Sequence, residues 1–310
     1  MIVTYRSKQL PISLIIPVHD EVSYLAKFLG VVSKLDPSPS EILVIKTLNL
    51  SEIDSLLDRC VAELHLEVRV FAVAGSFPGE ARNFGVAQAS FDWIAFLDAG
   101  VYPPKEWLAS IWEQSQTSSC DLVSGSCRFV PDQGFPAMVC ASSYGTKTIR
   151  AVLPGSLIAR SIFDKVGFFP ADARSGEDIA WFKLAKEFEI QTTVCESCIL
   201  EYRHFEPSVN RALKKAFLYE IGARTGFRTF CLFGYVSIYP LALFYTEIAI
   251  SCLISYLMAR GVVDPLRRSG WGWGSTSQIV LMPLFIALLD AVKAVGHLKG
   301  IMRCKSKPNS

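Results

Sequence analysis

Four times in the first 114 residues a short apolar run gives way to a stretch with helical spacing, and this alternation restricts the fold more than any composition figure does. Ser13 to Val18, bounded by Pro11 and Pro17, leads into Glu21 to Leu35, where Leu25, Phe28, Leu29 and Val32 share a face. Glu41 to Ile45 is followed by Ser51 to Leu64, Glu67 to Val73 by Gly79 to Ala89, and Trp93 to Leu97 by Pro104 to Gln114. Repeated strand and helix in this order predict an α/β fold, a parallel sheet covered by helices. Ligands of such sheets bind beyond the carboxyl ends of the strands, the edge at which His19, Lys46 and Asp98 fall.

Asp121 to Val130 reads as a further strand, Pro131 to Arg150 loses regular pattern, and Pro154 to Arg160 is a candidate lining for an acceptor pocket. Ser161 to Val166 is a short helix ending at Gly167, and Asp178 to Phe188 is a stronger one packing through Ile179, Phe182, Leu184 and Ala185. Glu177 and Asp178 then stand at a helix amino terminus, where the dipole favours a carboxylate. Capping accounts for one of them, not for two acids after Gly176. Two acidic loops result, Phe96-Leu97-Asp98-Ala99-Gly100 and Gly176-Glu177-Asp178. The first suits a diphosphate-bound metal and the second a base.

With 31 Lys and Arg against 29 Asp and Glu, the net charge of +2 gives no polyanion-coating surface, so nucleic acid is not an expected partner. Nine cysteines, an odd number without repeated spacing, form no disulfide framework and fit a reducing cytosol. Cys195 and Cys198 lie in the β-like run Thr192 to Leu200 and read as buried strand thiols. Arg6 and Lys8 precede an apolar run that Pro17 interrupts, so no signal peptide is expected and the front of the chain is expected to stay in the cytosol.

The 51% hydrophobic content is concentrated between Cys231 and Gly296. Arg211 to Arg228 reads as a basic helix suited to anionic headgroups. Leu241 to Met258, 18 residues after Pro240, gives ~27 Å of helix against a hydrocarbon core of ~30 Å. The next apolar stretch, Ile279 to Leu289, has only 11 residues before Asp290 and Lys293. Asp290, Lys293 and His297 share a helical face, which suits an interfacial helix or a neutralised pair inside a hairpin. Arg260, Arg267 and Arg268 between the stretches, against Lys299, Arg303, Lys305 and Lys307 after them, oppose a simple two-pass hairpin beneath a cytosolic domain. A re-entrant or interfacial pair stays open beside spanning helices. The expected division is a catalytic domain over 1–226 and membrane-associated helices with a basic tail over 227–310.

Ile15-Ile-Pro-Val-His-Asp-Glu21, Pro78-Gly-Glu-Ala-Arg-Asn-Phe-Gly85, Ile94-Ala-Phe-Leu-Asp98, Val166-Gly-Phe-Phe169, Gly176-Glu-Asp178 and His204 occur in this order. The set resembles the catalytic domain of glycosyltransferase family 2, of the GT-A, Rossmann-like fold, across roughly residues 11–226. The resemblance implies transfer of a sugar from a nucleotide diphosphate donor, with inversion and with Mg²⁺ or Mn²⁺. It implies Pro17, His19, Glu21, Arg82 and Asp98 at the donor, Asp98 and His204 on the metal or diphosphate, and Asp178 as catalytic base. Glu177 would orient acceptor or donor sugar, or cap the helix.

Three departures qualify these expectations. Lys46-Thr47 stands where the family often closes its second strand with Asp, so Lys46 would reach phosphate or signal a different donor. Gly100 replaces the second acid of the Asp-x-Asp element, which weakens the metal expectation. No Gln-x-x-Arg-Trp follows the base, which favours one sugar per encounter. The expected acceptor is a lipid-linked or membrane-presented glycan at the cytosolic face. Lys46 and Gly100 motivate the alternative, a non-catalytic binding or scaffold protein of a glycan-assembly complex.

Overall fold

The structure, a computed structural model, describes residues 9–48, 51–63, 67–221 and 245–305. They form two compact units, one from residues 1–128 and 149–203 and the other from 129–148 and 204–310. The expected division at 226 lies outside the described residues, as do Arg224, Arg228 and 241–244 of the expected carboxyl-terminal helices.

In the first unit the order is β1 (Gln9–Val18), α1 (Val22–Val32), β2 (Ser38–Lys46), α2 (Ser51–Glu63), β3 (Val68–Ala72), α3 (Pro78–Gln88), β4 (Trp93–Phe96), β5 (Val101–Tyr102) and α4 (Trp107–Ser118). Strand β6 (Leu122–Phe129) follows, and after α5 (Phe135–Ser143) come β7 (Ile149–Ala159), α6 (Arg160–Val166), α7 (Glu177–Glu187) and β8 (Thr192–Tyr202). The eight strands lie in the order β3-β2-β1-β4-β7-β6-β8-β5. β1 pairs in parallel with β2 and β4, and β2 with β3. This half is the parallel sheet expected from the four repeats.

The other half turns the sheet into a mixed one, because β7 is antiparallel to β4 and β6, and β5 is antiparallel to β8. An antiparallel neighbour needs no crossover helix to reverse direction; the stretch after β6, patternless in the sequence, nonetheless folds α5 on its way to β7. The first strands are apolar without alternation because both faces are covered. Ile12, Leu14, Ile16 and Val18 of β1 join a core with Leu25, Phe28 and Trp107, while Ile15 joins Leu43, Val86, Phe163 and Trp181 on the other face. Cys195 and Cys198 are buried, free thiols of β8.

The second unit contains α5, α8 (Val209–Ile221), α9 (Thr246–Met258), α10 (Asp264–Ser269) and α11 (Thr276–Lys305). A π-helical segment, Ala259–Val263, carries α9 into α10. α11 is one helix of 30 residues, although the apolar count stops at Leu289. It continues because Asp290 and Lys293 are buried and ion-paired with each other at 3.5 Å. Thr246–Ser269 and Thr276–Met302, of 24 and 27 residues, are long and apolar enough to cross a membrane. Met282, Phe285, Ile286 and Leu289 of α11 form a core with Ala137, Met138 and Ala141 of α5 and Ala212 of α8.

Candidate active site

The site of the first unit is organised by α3. Pro78 sits in its first turn, where a missing N–H costs nothing. A Cβ at Gly79 would lie 2.2 Å from the carbonyl oxygen of Pro170, and one at Gly85 would lie 2.7 Å from Ile15, so both glycines permit close approach of neighbouring chain. Between them, Arg82 and Asn83 reach the segments that bear the acids. The Asn83 amide donates to the carbonyl of Phe169 at 2.8 Å and accepts from its N–H at 2.9 Å. This two-bond clamp escapes sequence reasoning, since nothing about a lone Asn names a partner 86 residues away. Replacing Asn83 by Ala is expected to cost about 1–3 kcal/mol, because it leaves both backbone groups of the buried Phe169 unpaired. Urea denaturation in mild detergent measures the loss.

Arg82 joins the two acidic loops. Its Nη2 lies 2.8 Å from Oδ1 of Asp98 and its Nη1 lies 2.5 Å from Oε1 of Glu177. The Arg82 and Glu177 side chains are 6% exposed and that of Asp98 is 35% exposed, so the carboxylate of Asp98 is the open end of the triad. Asp98 follows the end of β4, and its carbonyl accepts from Val101 across a turn in which Gly100 has φ +93°. That backbone favours glycine, which gives a conformational reason for the absent second acid. Glu177 opens α7 after Gly176 at φ +78°. The helix is anchored by fully buried Trp181, whose indole donates to Gly167 at 2.8 Å and packs on Phe163 and Phe169. Asp178, half-buried beside Glu177, accepts from the N–H of Ile179 at 2.8 Å.

Burial opposes the charge on Arg82, but the carboxylates of Asp98 and Glu177 outweigh it and hold the guanidinium proton more tightly than usual. Burial pushes the Glu177 carboxyl up, with Arg82 pulling the other way. Burial also pushes Glu21 up to about 7; the N–H of His19, 2.5 Å away, opposes the rise and the charges of Asp20 and Asp98 add to it. A carboxyl raised in the folded state binds more protons there than in the unfolded chain. Its contribution to stability is therefore present below its unfolded value of 4.5 and lost as pH rises through about 7. Glu21→Gln is expected to raise the denaturation midpoint more at pH 8 than at pH 5, measured by urea titration at the two values.

The remaining predicted residues are placed as follows. Pro17 is in β1 opposite Ile45, and His19 is exposed, its Nδ1 2.6 Å from the hydroxyl of Thr47. Lys46 forms an ion pair with Asp54 of α2, so its ammonium has a protein partner in place of the expected phosphate. His204 belongs to the second unit. Among the described residues no group of three or more His, Cys, Asp or Glu is disposed to hold a metal ion, and one oxygen of Asp98 is taken by Arg82. These residues do not fit a dedicated cage for a hard divalent cation. Mn²⁺ titrated into the protein without nucleotide is expected to keep the resonance of the free aqueous ion up to millimolar concentration, as read by electron paramagnetic resonance.

Residues 13–176 match the family model described as Glycosyl transferase family 2. Glycosyltransferase AglE of Haloferax volcanii is 26% identical over 200 residues, covering 61% of this chain and 65% of that protein. Poly(ribitol-phosphate) beta-N-acetylglucosaminyltransferase TarS of Staphylococcus aureus is 21% identical over 175 residues, covering 54% of this chain and 30% of that protein. The match thus spans just under two thirds of the first relative and under a third of the second. Among solved structures, S. aureus TarS 1-349 in complex with UDP-GlcNAc aligns with a TM-score of 0.51 at 15% identity, over 97% of this chain and 93% of that one. Mannosyltransferase PcManGT from Pyrobaculum calidifontis, in complex with GDP-Man and Mn²⁺, aligns with a TM-score of 0.55 at 13% identity, over 96% and 88%. At these identities the likeness is one of fold.

Proposed function

The chain belongs to glycosyl transferase family 2, and from that premise we propose that it is an inverting glycosyltransferase that moves one sugar from a nucleotide diphosphate donor to a membrane-presented acceptor. Its mixed sheet, flanked by helices, is the GT-A arrangement. The observation that carries the reading is the Asp98–Arg82–Glu177 triad with Asp178 next in the chain, which draws a donor loop and a base-bearing helix start together.

In this mechanism Asp178 takes the proton of the acceptor hydroxyl while its oxygen bonds to the anomeric carbon. The bond from that carbon to the donor diphosphate breaks on the opposite face, and the nucleoside diphosphate leaves with the electron pair. Arg82 and Glu177 hold the two loops in register, a positioning role that geometry-sensitive displacement rewards. Pro17, His19, Glu21, Arg82 and Asp98 form the donor side in this reading. The AglE and TarS likenesses support sugar transfer as the reaction class, and the donors in the aligned structures, UDP-GlcNAc and GDP-Man, define the first ones to test.

The two apolar helices support membrane association; the acceptor in this reading is lipid-linked or a polysaccharide precursor at the cytoplasmic membrane, with the catalytic unit in the cytosol. The test is a panel of nucleotide-sugars with membrane-extracted glycolipid acceptors, scored by nucleoside diphosphate release and by the anomeric configuration of the product. Acceptor-dependent release with inverted configuration is expected. No turnover on any donor, or retained configuration, removes the proposal.

A further inference from the structure

Beside their apolar core the helices of the second unit bury an ionic seam, and outward they expose a run of large apolar side chains, which is not the pattern of a bundle that faces water. Asp290, 2% exposed, accepts from the hydroxyl of Tyr256 and from Arg260 Nη2 at 3.2 Å, with Lys293 Nζ 3.5 Å away. Arg260 Nη1 also lies 3.0 Å from Asp264. Outward, Leu284, Leu288, Val295 and Met302 recur along one face of α11, and Ile254 and Met258 along α9, each at least 46% exposed. Exposed apolar faces on both helices around a paired ionic seam are what hydrocarbon, rather than water, selects.

Length alone would let these helices cross a bilayer, but the register of α8 opposes it. A Cβ at Gly296 would lie 2.6 Å from the carbonyl oxygen of Phe217, and one at Gly300 would lie 2.6 Å from that of Ile221. The two helices therefore run side by side, with Phe217 level with Gly296 and Ile221 level with Gly300. Stepping back along both at the same rise brings Arg211 and Lys214 level with Asp290 and Lys293, halfway along α11. Arg211 and Lys214 are exposed. A crossing bundle would hold both cations against the centre of the hydrocarbon, where charge is most costly.

We infer that the bundle lies along a single leaflet of an anionic bilayer, with the outer faces of α9 and α11 among the acyl chains and the basic outer face of α8 at the headgroups. The inference rests on the membrane reading above and specifies its geometry. In this arrangement the turn at 270–275 and the carboxyl-terminal tail are on the same side of the membrane. A crossing pair puts them on opposite sides.

The test uses the full chain in sealed, inside-out membrane vesicles, with a protease site inserted after Gly272 in one version and appended after Ser310 in another. The two sites are expected to share one fate: both cut by an impermeant protease before detergent, or both protected until detergent is added. If one is cut and the other protected, the single-leaflet geometry is overturned while the membrane reading stands. Recovery of the chain in the soluble fraction overturns both. Where an insertion disturbs folding, Gly272→Cys serves instead, since a Cβ there has no atom within 4 Å, paired with a cysteine appended to the tail and an impermeant maleimide. Labelling from one side for both sites supports the inference, and labelling from opposite sides overturns it. Neither readout depends on sugar transfer.

Discussion

Arg82→Met is expected to destabilise the protein by about 3–5 kcal/mol, the usual cost of removing one partner from a buried ion pair. Methionine keeps most of the aliphatic stem, so the loss reports charge more than volume. Glu177 bears the consequence: its side chain is 6% exposed and would be left as a buried carboxylate without its cation, whereas Asp98 at 35% can take up water. The double variant Arg82→Met with Glu177→Gln is therefore expected to recover a large part of the loss, and Arg82→Lys little of it. An ammonium cannot extend two nitrogens toward two carboxylates as the guanidinium does. The pH dependence has a definite sign. Without Arg82, the burial that already raises Glu177 is unopposed, its folded state takes up a proton, and the penalty grows as pH rises from 5 to 8. Urea denaturation of single and double variants at both pH values measures all of this. A loss under 1 kcal/mol for Arg82→Met, or no recovery in the double variant, would show that the triad does not act as a buried ion pair.

The sequence exposes some of this architecture and hides the rest for physical reasons. Strands covered on both faces must be apolar throughout, so Ser13 to Val18 and Glu41 to Ile45 announce themselves and the four repeats predict parallel pairing. Direction is not encoded in an apolar run, and the antiparallel placement of β7 and β6 follows from pairing partners that no local pattern names. The length of α11 is hidden because an apolar count treats Asp290 and Lys293 as interruptions, while the fold pairs them with each other and with Arg260 and Tyr256. At the site, both acidic loops are legible from their residues. Their union through Arg82 is not, since its partners are 16 and 95 residues away. Lys46 illustrates the same limit, for a cation that reads as a phosphate contact is paired with Asp54 one helix turn into α2.

The other large effect is expected at Asp178, and it should separate chemistry from folding where Arg82 mixes them. Asp178→Asn is expected to lower kcat by about 10²–10⁴, the range supplied by a positioned general base. Its carboxylate is half-buried and its hydrogen bond at 2.8 Å is to the adjacent amide of Ile179, a bond that the side-chain oxygen of asparagine can also accept. The denaturation midpoint should therefore shift within about ±0.5 kcal/mol, as for substitutions that create no buried unpaired group. Glu177→Gln provides the contrast one residue away. That change removes half of the charge facing Arg82, so it should alter stability as well as turnover. If Asp178 acts as base, its substitution lowers kcat with little change in donor KM, because a proton is transferred only on the way to the transition state. An Asp178→Asn enzyme within tenfold of the parent in acceptor-dependent nucleoside diphosphate release, with its fold intact, would take the base away from this residue. A loss confined to KM would instead make Asp178 a binding group and require another base near the start of α7.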